Sequence, residues 1–187
     1  MQEVENILRI FEETKIAIEQ ENVIKLKDLS NQTINTASRT QDPDNIATAV
    51  IVYSIGKILE RKNYRALPGW NNFYKKLIFS INNSIKDLKE NNEEKFRQDL
   101  ESIRNAIGKL SGKLKVYIQD VFRKASINKA SRIYEHGVSM EQTAKLLGIT
   151  LFELAGYAGQ KQIHDIPESR TLGVKQRIKL AMEIFER

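Results

Sequence analysis

Residues 139–158, SMEQTAKLLGITLFELAGYA, decide how this chain is read. Ser139 opens an S-x-x-Q pattern closed by Gln142, and Thr150 opens a T-x-x-E pattern closed by Glu153. In such a capping box the hydroxyl accepts from the backbone N–H three residues on, and the longer side chain reaches back. Between the two patterns lies L-L-G-I, where Gly148 permits a sharp exit from the first helix. The stretch is therefore expected to fold as two short helices joined at Gly148.

The inner positions agree with a tight crossing of those helices. Ala144 supplies a small residue at the fifth position of the first helix, and Leu147, Ile149, Leu154 and Tyr157 fill the apolar positions. Thr143 stands where a larger aliphatic residue is more common. On these residues the stretch resembles the helix-turn-helix of small prokaryotic DNA-binding proteins. It also resembles the small helix-turn-helix antitoxins encoded with ribonuclease toxins. That resemblance implies a module repressing its own operon and a neighbouring segment neutralising the toxin, and it identifies no toxin-binding residue here. Both resemblances cover about twenty of the 187 residues, and residues 1–110 carry neither.

The charge distribution points the same way. The net charge of +6 is uneven: residues 112–187 hold 13 Lys/Arg against 8 Asp/Glu, whereas residues 1–111 hold 17 against 16. Basic character therefore gathers around the motif, as phosphate binding requires, although many soluble domains reach a comparable excess. The hydrophobic share of 41% and charged share of 29% are ordinary for a globular chain. The absence of cysteine excludes disulfides, thiolate metal sites and cysteine nucleophiles, and fits a reducing cytoplasm. The start, MQEVENILRIFEE, is acidic and amphipathic and does not resemble a signal peptide. No apolar run approaches the length of a membrane span.

Upstream of the motif, helical periodicity dominates. Helices are expected over about 2–20, 22–38 and 43–63, the last started by Asp42-Pro43 and apolar around much of its circumference, which predicts a central position. Leu67-Pro68-Gly69 breaks the chain. Trp70, Phe73, Leu77, Ile81 and Leu88 then keep one stripe, and Phe96, Leu100, Ile103 and Ile107 keep the next. Ser111-Gly112 marks a candidate boundary. A helix over 113–136, stopped at His136-Gly137, braces the motif. After Gly159 an irregular connector leads to a last amphipathic helix with Val174, Ile178, Ala181 and Met182 on one face. The expected fold is all-α: a helical bundle over 1–110 and a helix-turn-helix domain over 111–187.

Catalytic and metal readings find little support. His136 and His164 are the only histidines and form no H-x-x-x-H pair, so no metal or cofactor is expected. The run Arg132-Ile-Tyr-Glu-His136 resembles the Arg/His pair of helical ribonucleases from some defence systems. Those enzymes usually separate the pair by more than the three residues that intervene here. No phosphate loop or nucleophile elbow is present, and the protein is not expected to be an enzyme.

The second motif helix is where bases would be read, and it would present Thr150, Leu151, Phe152, Ala155, Gly156 and Gly159. Direct readout favours Arg, Lys, Asn and Gln, and none occurs before Gln160 and Lys161. Two readings follow. In the first, a regulator binds double-stranded DNA weakly and mainly through phosphates, using Arg123, Lys124, Lys129, Arg132, Lys145, Thr150, Gln160, Lys161 and the last helix's Lys175, Arg177 and Lys179. In the second, Leu151 and Phe152 dock a protein partner. A cytoplasmic homodimer without a membrane partner is expected in the first case.

Overall fold

Apolar residues at helical spacing form α-helices throughout the computed structural model, which describes Met1, residues 3–147 and residues 149–164. Among these residues there are eight α-helices, one 3-10 helix and no strand. They are α1 (Val4–Glu19), α2 (Val23–Thr40), α3 (Pro43–Glu60), a 3-10 turn (Lys62–Ala66), α4 (Trp70–Lys89), α5 (Glu93–Gly108), α6 (Gly112–Glu135), α7 (Met140–Leu147) and α8 (Leu151–His164). The all-α expectation holds. Gly148 and the expected last helix, with Lys175, Arg177 and Lys179, lie outside the described residues.

Side chains that accept from the first turn start three of the bundle's helices. Asn22 accepts from the Lys25 N–H at 3.0 Å, Asp42 from Asp44 at 2.9 Å and Asn92 from Lys95 at 3.1 Å. Each satisfies a donor that the helix leaves without a partner. Two boundaries differ from expectation. The third helix ends at Glu60 instead of 63, because the chain tightens into a 3-10 turn that buries Tyr64. The second motif helix runs on to His164, through residues expected to begin an irregular connector.

The central helix is α3, which packs against α1, α2, α5, α6 and α7. It buries residues on every side, including Ile46, Val50, Ile51 and Ile58, as its near-uniform apolarity predicts. It approaches α2 tightly at Gly56, where an added Cβ would stand 3.3 Å from the Leu26 Cβ. The main core joins α1 to α6 and includes Ile7, Phe11, Leu29, Ile55 and Phe96. Phe11 meets Phe96 edge to face, with ring centroids 5.5 Å apart.

The core does not stop at residue 110. Gly112, at φ +60°, opens α6, but Leu114, Ile118 and Val121 of α6 belong to the same cluster as Phe11 and Ile55. Further along, Ile133 packs with Ile34, Ala37, Ile46 and Ala49. Between these contacts, Ala130 packs with Ala144 of α7 and Leu154 of α8. The 24 residues of α6, about 36 Å of helix, thus serve both the bundle and the terminal pair of helices.

Candidate nucleic-acid and partner interface

Local sequence builds the corner at the end of α6. The His136 N–H donates to the Arg132 and Ile133 carbonyls, and Gly137 at φ +91° turns the chain in a region that only glycine enters freely. Val138 then buries itself against Ile34, Ala37 and Ile133. Ser139 Oγ accepts from the Gln142 N–H at 3.2 Å, capping α7. The return half of this box is not made. The Gln142 side chain instead donates through Nε2 to Gln41 Oε1, so it ties α7 to the end of α2.

The second box is complete. Thr150 Oγ1 accepts from the Glu153 N–H at 3.1 Å, and Glu153 Oε2 accepts from the Thr150 N–H and hydroxyl, both at 2.9 Å. Glu153 Oε1 also accepts from Arg123 of α6, with Nε at 2.9 Å. The Thr150 N–H, the Arg123 guanidinium and the Thr150 hydroxyl together hold the Glu153 carboxyl down at about 2. Farther along, Asn128 Nδ2 donates to the Tyr157 hydroxyl at 3.0 Å. These bonds lay α8 along α6. The inner face is closed by Ala130, Ala144 and Leu154, with Met140, Leu147 and Ile149 packed around them. Small residues at 130 and 144 permit that approach.

Thr143 is fully buried, and its hydroxyl has no partner among the described residues. A buried hydroxyl without a hydrogen bond is unfavourable, which gives a physical reason for an aliphatic residue at this position.

The proposed phosphate contacts divide into different environments. Arg132 and Lys145 are exposed and make no ion pair among the described residues. Lys124 is exposed but pairs with Asp120 at 2.8 Å, one turn earlier on α6. Arg123 is exposed and is engaged by Glu153. Thr150 is exposed, with its hydroxyl committed to the cap. Gln160 and Lys161 fall on α8, with side chains outside those described.

Lys129 requires correction. It is 0% exposed, so it does not present a charge to phosphate. Its ammonium donates to Asn31 Oδ1 at 3.1 Å and lies 4.3 Å from the centroid of the Tyr53 ring. Burial, with a smaller contribution from Arg132, pushes its pKa down to about 7. The signal was in the sequence: Ala125, Lys129 and Ile133 share one stripe of α6 at four-residue spacing.

The outward side of α8 is uncharged over its described side chains, residues 151–158. Leu151 is 48% exposed and Phe152 88%, with Ala155 and Gly156 exposed beside them. Neither Leu151 nor Phe152 is core among the described residues. His136 is exposed at the end of α6, and no group of three metal-ligating side chains occurs among the described residues. No described helix is long and apolar enough to cross a membrane.

Periodicity alone did not single out an acidic pair between α4 and α5. Asp87 is 8% exposed and hydrogen-bonds Asp99, whose pKa is raised to about 6 by burial and by that neighbour, against a lowering contact from Asn83. Asp99 lies between Phe96 and Ile103 on the buried stripe of α5, which is the one sequence signal that a carboxyl is held there. Comparison with protein-family models, curated proteins and solved structures returned no match to this chain.

Proposed function

We propose that the protein is a helix-turn-helix regulator that binds duplex DNA through phosphate contacts in the cytoplasm, as a homodimer built on its N-terminal bundle. The observation that carries this reading is the arrangement of α6, α7 and α8. Two capped helices cross on small residues, the outer turn of α8 remains open to solvent, and Arg132 of α6 and Lys145 of α7 are exposed without carboxylate partners among the described residues. An outward helix of this kind suits a major groove, and its lack of Arg, Lys, Asn or Gln before residue 160 makes base readout weak. Affinity then comes from counterion release and falls steeply with salt.

Fluorescence anisotropy with a labelled random duplex at 50 mM and 200 mM salt, values typical of such assays, tests it. Binding at low salt that weakens at least about tenfold at the higher salt is expected. No binding at low salt removes the DNA reading.

A second reading has its own support. Phe152 is 88% exposed next to Leu151, an unusual position for an aromatic ring on a charged, soluble surface. An all-α interaction protein would use this apolar turn as an anchor for a protein partner, as in antitoxins that neutralise a toxin. Complexes retained at high salt and lost on Phe152→Asp favour that reading over DNA.

A further inference from the structure

A cleft of about 710 Å³ opens where α3, α5, α6 and α7 meet. Its floor is apolar, formed by Val50, Ile51, Ile107 and Phe122, and its rim carries Arg104, Arg123 and Lys145 from three different helices. No carboxylate lines it among the described residues. Arg104 and Lys145 are exposed and make no ion pair among the described residues, while Arg123 is held by Glu153. Its volume and its mixture of apolar lining with a few converging polar groups suit a small molecule.

We propose that this cleft binds a small amphipathic anion, a carboxylate carrying an aliphatic body. The carboxylate meets Arg104 and Lys145 at the rim, and the aliphatic part covers Val50, Ile51 and Phe122. Charge complementarity selects this class. Two unpaired cations above an apolar floor disfavour a cationic amphiphile and give a neutral alcohol no ionic partner. The cleft also joins α7 to the bundle, since Lys145 and Leu147 stand opposite Ile51 and Ile107 in its lining. Its occupant therefore contacts the candidate interface and the bundle at once.

Isothermal titration calorimetry of the full chain with decanoate, in the absence of DNA, tests the site independently of the regulatory reading. Decanol and decylammonium serve as the neutral and cationic comparisons. The expected result is saturable one-to-one binding of decanoate, at least tenfold weaker for decanol and absent for decylammonium. The double substitution Arg104→Gln and Lys145→Gln is expected to weaken decanoate binding at least tenfold, with circular dichroism unchanged because both side chains are exposed. Absence of saturable decanoate binding overturns the proposal. So does equal affinity for decanol, or decanoate binding that survives the double substitution.

Discussion

The ammonium of Lys129 lies 4.3 Å from the centroid of the Tyr53 ring, fully removed from solvent. Burial, with a smaller contribution from Arg132, lowers its pKa to about 7, and the Tyr53 ring and Asn31 are the neighbours that favour the charged form. A neutral side chain of similar length should therefore fit better. Lys129→Met is expected to raise stability at pH 7 by about 1–3 kcal/mol, measured by urea denaturation.

The same residue sets a dependence on alkaline pH. Between about 7 and its ordinary value of 10.5, Lys129 holds its proton in the unfolded chain and loses it in the folded one. Folding stability from this group therefore rises with pH across that window. Denaturation midpoints taken from pH 7 to 10 should rise more steeply in the wild-type protein than in Lys129→Met. Equal slopes would show that the ammonium is better solvated than its surroundings indicate.

Asp99 acts at the opposite end of the scale. Its folded pKa of about 6 exceeds the ordinary 3.8, so the folded chain keeps a proton there that the unfolded chain releases. Its contribution to stability is fullest below about pH 4 and is lost as pH rises through 6. Asp99→Asn keeps a hydrogen bond available to Asp87 without the second charge. It is expected to stabilise the fold by about 1–2 kcal/mol at pH 7 and to flatten this component of the pH profile. Thermal melts between pH 4 and 7 provide the comparison.

Thr143→Val replaces a buried hydroxyl that has no partner with a methyl group of nearly the same size. A gain of about 1 kcal/mol is expected. Thr143→Ser retains the hydroxyl and removes a buried methyl, so it should lose about 1 kcal/mol. A destabilising valine would show that the hydroxyl is hydrogen-bonded.

Binding variants separate the two functional readings. Arg132→Glu with Lys145→Glu changes only exposed side chains and should leave stability within about 0.5 kcal/mol. In the DNA reading it weakens binding to every duplex and lowers the salt slope. Phe152→Asp, at a position 88% exposed, should also spare the fold. It abolishes capture of a protein partner in the second reading, and salt-dependent duplex binding that survives it would favour the first.

Helix positions were legible in the sequence because stripes such as Phe96, Leu100 and Ile103 have one explanation in an all-helical chain. The central position of α3 was legible for the opposite reason: it has no polar side to place outward. The Thr150–Glu153 cap was also legible, since its partners are three residues apart. The fate of Gln142 was not, because its partner, Gln41, is 101 residues away. Lys129 shows the same limit from another direction. Composition counted it as surface charge, whereas its register with Ala125 and Ile133 placed it inside. The cleft was equally hidden, since Arg104 and Lys145 meet only through the packing of α5 and α7 around α3.

Sharing α6 between the bundle and the α7–α8 pair has a consequence for how this architecture can recombine. A gene fragment beginning at residue 111 would carry Leu114, Ile118 and Val121 into a new host as an uncovered apolar ridge. One ending at 110 would leave α3 without part of its covering. The terminal helices are thus poor material for exchange by simple fusion. A graft that keeps its solubility must either bring its own α3-like surface or resurface the first three turns of α6.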